Sequence, residues 1–313
     1  MCLFGNKRKE TDPDTVIIRA PGKNECGGTT ETLDRKAPKE IDSHDVVLFN
    51  VESSLGGGVF TGDGDEEKIR YVNAFAAPSG TGTFVFYESS QELRRRGEPE
   101  SRWAFIRENA SRKLDELTTE RGFVKANGHH SKTHGLPENF GGEVEIEYAN
   151  GQKISFSDNQ TPVISTEDAK AIDVLFKKLL DGEKVILPNI AYLTQIEFEE
   201  KRSDGGFTRA CLTFNADGTG TNRKQAKYSD TGVFESEKPV DAETVKAIRN
   251  NIEKCGLLAW PALPESPYKF SGQKTLGFIF EDGTKIVVPN DRVTPDRINR
   301  GFFNIELEMT TKH

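Results

Sequence analysis

The tetrapeptide Gly-Thr-Gly-Thr is read twice in the chain, in Pro78-Ser-Gly-Thr-Gly-Thr83 and in Ala216-Asp-Gly-Thr-Gly-Thr221, each time behind a half-apolar run. Glycine reaches backbone angles closed to other residues and threonine is content in an extended pleat, so each copy reads as a tight reversal that opens the next strand. A phosphate-cradling loop would need a following Lys-Ser/Thr and a helix. Phe84-Val85-Phe86 and Asn222-Arg223-Lys224 follow instead, so no Walker loop is present.

Working outward, the same landmarks recur in the same order. Behind the first copy, Trp103, Ile106, Ala110, Leu114 and Leu117 return at spacings of three and four, with Gly122 as a stop. Behind the second, Val245, Ile248, Ile252 and Cys255 do so, with Asp241 as N-cap and Gly256 as the residue past the end. This is the helical period with its start and stop signals. Next come Leu136-Pro137-Glu138 and Leu263-Pro264-Glu265, each ahead of a hairpin signature: EVEIEYANGQKISF around Asn150-Gly151, and KTLGFIFEDGTKIVV around Asp282-Gly283. The spacings differ only by loop-sized insertions, which points to an internal duplication.

The two halves close differently. Ser165 and Asp168 form a capping box ahead of a stripe of Ile172, Leu175, Phe176 and Leu179, with Gly182 as the stop. In the second half Thr294-Pro295-Asp296 starts a short helical turn and FFNIELEM alternates like a final strand. Strands outnumber helices and meet through hairpins, so the expected fold is α+β, two tandem related units, each a mainly antiparallel sheet with one or two packed helices. The expected boundaries are a flexible tail over residues 1–40, too polar to bury much surface, a first repeat over 41–182 and a second over 183–313.

At 313 residues the chain suits two domains of ordinary size. A formal net charge of -8 argues against the basic surface that nucleic acid requires. No apolar run approaches the length of a membrane span. Cys2, Cys26, Cys211 and Cys255 lie far apart with no ligand-like spacing, which reads as free thiols in a reducing compartment, the cytoplasm by default. A tethered envelope or secreted protein is the alternative if a leader has been removed.

The densest polar constellation is NGHHSKTHGLPE, with His129, His130, His134 and Glu138. Imidazoles four residues apart bind zinc when they share a helical face, with a carboxylate as ligand or base. Gly128, Gly135 and Pro137 make this segment a loop, and the second half has no histidine in the matching place. Asp63-Gly-Asp-Glu-Glu67 lacks the glycine and the final acid of a calcium loop. The triplet Arg94-Arg95-Arg96 is neutralised by Glu92, Glu98 and Glu100. Trp260 and Tyr268, among Pro261, Pro264 and Pro267, form an aromatic connector that either folds over the sheet or offers a rigid binding surface.

Two functions follow. The first is a non-catalytic two-repeat binding or interaction protein, whose partner is a protein or a small-molecule ligand and which needs no cofactor. The alternative is a metal-dependent hydrolase using zinc on the His-rich loop 129–138.

Overall fold

The computed structural model describes residues 14–19, 28–55, 69, 71–89, 102–135, 141–228, 232–266 and 272–311. The chain is a mixed α+β fold. One sheet contains β1 (Thr15–Arg19), β2 (Thr29–Asp34), β3 (Val46–Ser54), β4 (Tyr71–Ser79), β5 (Gly82–Ser89), β6 (Arg102–Ile106), β7 (His129–Thr133), β8 (Gly142–Tyr148) and β9 (Lys153–Asp158), in the order β1-β2-β7-β9-β8-β3-β4-β5-β6. The helices α1 (Ser111–Arg121) and α2 (Thr166–Leu180) belong to the same stretch of chain. The second sheet contains β10 (Leu193–Arg202), β11 (Phe207–Phe214), β12 (Gly220–Lys227), β13 (Val233–Val240), β14 (Gly272–Phe280) and β15 (Lys285–Pro289), in the order β13-β12-β11-β10-β14-β15, with α3 (Ala242–Lys254) and α4 (Asp296–Thr310). The second sheet is antiparallel throughout, whereas β7 runs parallel to β9 in the first. Among the described residues no helix is long and apolar enough to cross a membrane.

The chain resolves into two compact units. One comprises Met1–Phe75, Tyr87–Glu98 and Ala110–Lys177, and the other Ala76–Phe86, Pro99–Asn109 and Lys178–His313.

In the first unit the capping box closes as expected: the Ser165 hydroxyl accepts from the Asp168 N–H at 3.1 Å while the Asp168 carboxylate accepts from the Ser165 N–H at 2.9 Å. This satisfies two backbone donors at the start of α2. The apolar stripe of α2 then meets β3 and β5, with the Phe176 ring 5.6 Å from Phe49 and 5.7 Å from Tyr87. The buried Tyr87 hydroxyl donates to Asp173 at 2.7 Å, so its polar end is paired where the ring is desolvated.

Strands β1 and β2 form inside the stretch that composition reads as a tail. Their anchor is Asn127, only 2% exposed. Its amide nitrogen donates to Pro38 O and Lys153 O at 2.9 Å each, its amide oxygen accepts from Ser155 N at 2.7 Å, and its main-chain carbonyl accepts from Lys39 at 2.9 Å. One buried amide, fully partnered, fastens residues 38–39 to β9. The rest is the antiparallel pairing of β1 with β2 and of β2 with β7, a long-range ladder that composition does not register.

In the second unit α3 starts and stops where its residues indicate. Asp241 accepts from Thr244 N at 2.7 Å, and Gly256 takes the left-handed conformation at φ +62. Gly256 also lets Trp103 approach: a Cβ there would lie 2.7 Å from the indole, whose N–H donates to Glu253 O at 2.9 Å. Trp103 is thus on β6, not on a helix. The expected helix from 103 shrinks to α1, because Trp-Ala-Phe-Ile is a β-favouring run and helical angles begin only after Asn109-Ala110.

The expected final strand is also corrected. Residues 296–310 are one helix, and Ile298, Phe302, Ile305 and Met309, spaced by four, three and four, are all buried. A window of eight residues from Phe302 shows a false alternation that the longer stripe overrides.

The two Gly-Thr-Gly-Thr copies both make hairpins, yet differently. In the first the loop is Gly80-Thr81 and the positive φ of +146 falls on Gly82. In the second the loop spans residues 215–219 and the positive φ of +86 falls on Gly218. A Cβ on Gly82 would sit 2.2 Å from Ile106 O, whereas Gly80 and Gly218 have open space. Gly82→Ala is therefore expected to cost about 2 kcal/mol or more, Gly218→Ala about 1 kcal/mol from its backbone alone, and Gly80→Ala less than about 0.5 kcal/mol. Urea unfolding of the three variants checks the order.

Candidate functional site

His129 and His130 are neighbours on β7, so their side chains leave opposite faces of the strand. His129 is exposed opposite Leu33. The His130 ring shares a hydrogen bond of 2.9 Å with Ser157, and the His134 ring shares one of 2.9 Å with Thr30. Each of these two imidazoles is held by a hydroxyl partner of its own, and among the described residues no three His, Cys, Asp or Glu side chains gather as a metal site. Glu138 and Tyr268 lie outside the described residues. Trp260 is 3% exposed in a 3-10 turn over Leu257–Ala262, with its N–H on Cys255 O at 2.9 Å, so its ring fills the interior of the second unit. Burial pushes the neighbouring Cys255 thiol up, which makes a thiolate there harder to form.

A concave site lies in the second unit. Its sheet has one face covered by α3 and α4, with Ile196, Phe198, Leu212, Leu276 and Phe278 buried beneath them. The other face carries charge pairs across the strands: Arg209 with Glu199 at 3.1 Å, Arg223 with Glu237 at 2.7 Å and Lys285 with Glu197 at 2.6 Å. Strand alternation sorts the residues of β12 and β13 between these faces. Asn222, Lys224, Ala226 and Tyr228 turn inward, opposite Lys238, Ser236 and Phe234 in the ladder.

Helix α4 lies against β11 and β12 and ends before β12 and β13 do. Past its last turn opens a groove of about 750 Å³, lined by Asn222, Lys224, Ala226, Tyr228, Phe234, Glu235, Ser236, Glu237, Lys238, Met309 and Thr311. The last four carbonyls of a helix have no partner within it. Here all four are met: Leu307 O by Thr311, Glu308 O by Lys238 Nζ at 3.4 Å, Met309 O by Asn222 Nδ2 at 2.9 Å and Thr310 O by Lys224 Nζ. Cations at that end also complement the helix dipole.

The groove's apolar part is an aromatic pair. Tyr228 and Phe234 are 41% and 56% exposed with ring centroids 6.3 Å apart, and the Arg202 guanidinium sits 4.8 Å over the Tyr228 ring. Arg202 is itself fixed by Glu200 at 3.0 Å. One buried acceptor, Asn222 Oδ1, has no hydrogen-bond partner.

None of these groove residues stands out in sequence. The signal that would find them is the alternation in Asn222-Arg-Lys-Gln-Ala-Lys-Tyr228, which places amide, amine, methyl and phenol on one side. Comparison with protein-family models and with curated proteins finds no match to this chain.

Two outcomes follow. Asn222→Asp replaces the donor on Met309 O by a carboxylate oxygen, so it is expected to destabilise the second unit by about 2 kcal/mol or more, read by thermal or urea unfolding. His130 is held below the usual histidine range by its burial and by the nearby His129, with Asp34 opposing. The unfolded chain then takes up this proton first as pH falls, so stability present above about pH 6.5 is lost on acidification until the folded His130 itself protonates. Replacing it in His130→Asn should flatten that part of the stability profile.

Proposed function

We propose that the chain is a non-catalytic binding protein made of two copies of one α+β unit, and that the groove past α4 is its ligand site. The duplication is supported by the matching orders of the two sheets. The run β6-β5-β4-β3-β8-β9 corresponds strand for strand to β13-β12-β11-β10-β14-β15. In both stretches a four-strand meander leads to a helix, a 3-10 turn, a hairpin and a closing helix. The first copy differs by β7 and by its pairing with β1 and β2, and the two Gly-Thr-Gly-Thr turns place their left-handed residue differently. Both are local changes that an ancestral unit accommodates in its loops.

The observation that carries the binding reading is the aromatic pair Tyr228 and Phe234, partly exposed in a concave site beside two lysines. Exposed rings in a hollow with a few fixed polar groups are the usual make-up of a ligand site. The polar residues there include two lysines, hydroxyls, an amide, and Glu235 and Glu237, which are engaged by Gln225 and Arg223.

Methyl NMR spectra of the full chain, recorded against a mixture of small-molecule fragments, test this. Binders are expected to shift Ala226 and Met309 methyl signals, and Phe234→Ser should abolish the shifts. Shifts confined to other parts of the protein would remove the groove from consideration.

A further inference from the structure

We infer that the groove takes a small amphiphile with a single anionic head group, seated between Lys224 and Lys238, and an apolar tail on Tyr228 and Phe234. This rests on the groove being the ligand site and names what that site selects.

The head-group end is decided by charge. Lys224 and Lys238 reach the carbonyls of Thr310 and Glu308 in the last turn of α4, so both ammonium groups lie at the end of that helix. Each ammonium has three donors and uses one of them on the helix. Among the described residues neither lysine has a carboxylate within ion-pair distance, in contrast to the other face of the same strands. The acids that alternate with Lys238 on β13 also line the groove, but each has a partner on β12: Glu237 pairs with Arg223 at 2.7 Å and Glu235 accepts from Gln225 at 2.9 Å. On α4, Glu306 is taken by Lys274 at 2.6 Å. The negative end of the helix dipole offsets about half a charge of the two lysines. What remains, about one and a half positive charges, favours a carboxylate or a phosphate monoester at this end of the groove.

The tail end is decided by alternation. Lys224, Ala226 and Tyr228 follow one another on the inner face, about 7 Å per step, and Phe234 lies opposite Ala226, so the aromatic pair extends from about 7 Å to about 14 Å along the strands from Lys224. Ala226 lies between them as a small floor residue, 3% exposed. A flexible alkyl or aryl tail spans this distance over an apolar floor, while a compact anion would leave the rings in water. Carboxylates and phosphate monoesters share the head-group chemistry, and lysine binds either as a point charge.

The test uses the full chain and four probes: decanoate, decyl phosphate, decanol and decyltrimethylammonium, titrated below their micelle concentrations by calorimetry with methyl NMR to locate them. Decanoate or decyl phosphate is expected to saturate one site at Ala226 and Met309, and the tighter of the two names the head group. Decanol should bind at least about tenfold more weakly. Lys238→Gln keeps a donor for Glu308 O but removes the charge, so it should weaken the anionic probes about tenfold and leave decanol unchanged, and Lys238→Arg should restore them. Decanol or the cationic probe binding in the groove as tightly as decanoate would overturn the anionic head while leaving the groove a ligand site. Absence of binding by all four probes, or binding that survives Phe234→Ser, would overturn both.

Discussion

A helix that ends against a sheet must hand its last carbonyls to something other than water, and in the second unit this requirement organises the structure around the groove. Helix α4 delivers four such carbonyls to the inner face of β12 and β13, where an amide and two ammonium groups meet three of them and Thr311 meets the fourth. The same side chains therefore close the fold and furnish the polar wall of the groove. An uncharged set could have satisfied the carbonyls as well. Among the described residues these two lysines form no ion pair, so they leave positive charge in a hollow that also holds two aromatic rings.

The first unit is tied together by buried polar side chains. Asn127 makes four hydrogen bonds at the junction of the β2 turn and β9, and Tyr87 with Asp173 ties α2 to the sheet. Each is paired where desolvation would make an unpaired group expensive. His130, turned onto Ser157, belongs to this kind of structural polarity.

Much of the local architecture is legible in the chain because its signals are short-ranged. Asn150-Gly151 and Asp282-Gly283 mark hairpins that form with positive φ at both glycines, and the caps at Ser165, Asp241 and Gly256 sit where their chemistry requires. The failures share a cause. Trp103 fits a helical stripe by spacing but pairs in β6, and the false alternation of FFNIELEM dissolves once Ile298 and Met309 share a buried face. Trp260 looks like a contact residue in a proline-rich connector, yet its ring is interior. In each case the neighbour that decides the outcome is remote in sequence, as Glu253 is for Trp103.

The sequence by itself determined the α+β class, the hairpins and their glycines, and the start and stop of α2 and α3, because turn and cap energetics depend on residues within four or five positions. Only the tertiary structure decided that β1 and β2 join a sheet, that the three histidines part company, and that Asn222, Lys224 and Lys238 converge on the end of α4. Those outcomes depend on which strand lies beside which, and on long-range donors reaching carbonyls about seventy to ninety residues away in the chain, as in the pairs Lys238 with Glu308 and Asn222 with Met309.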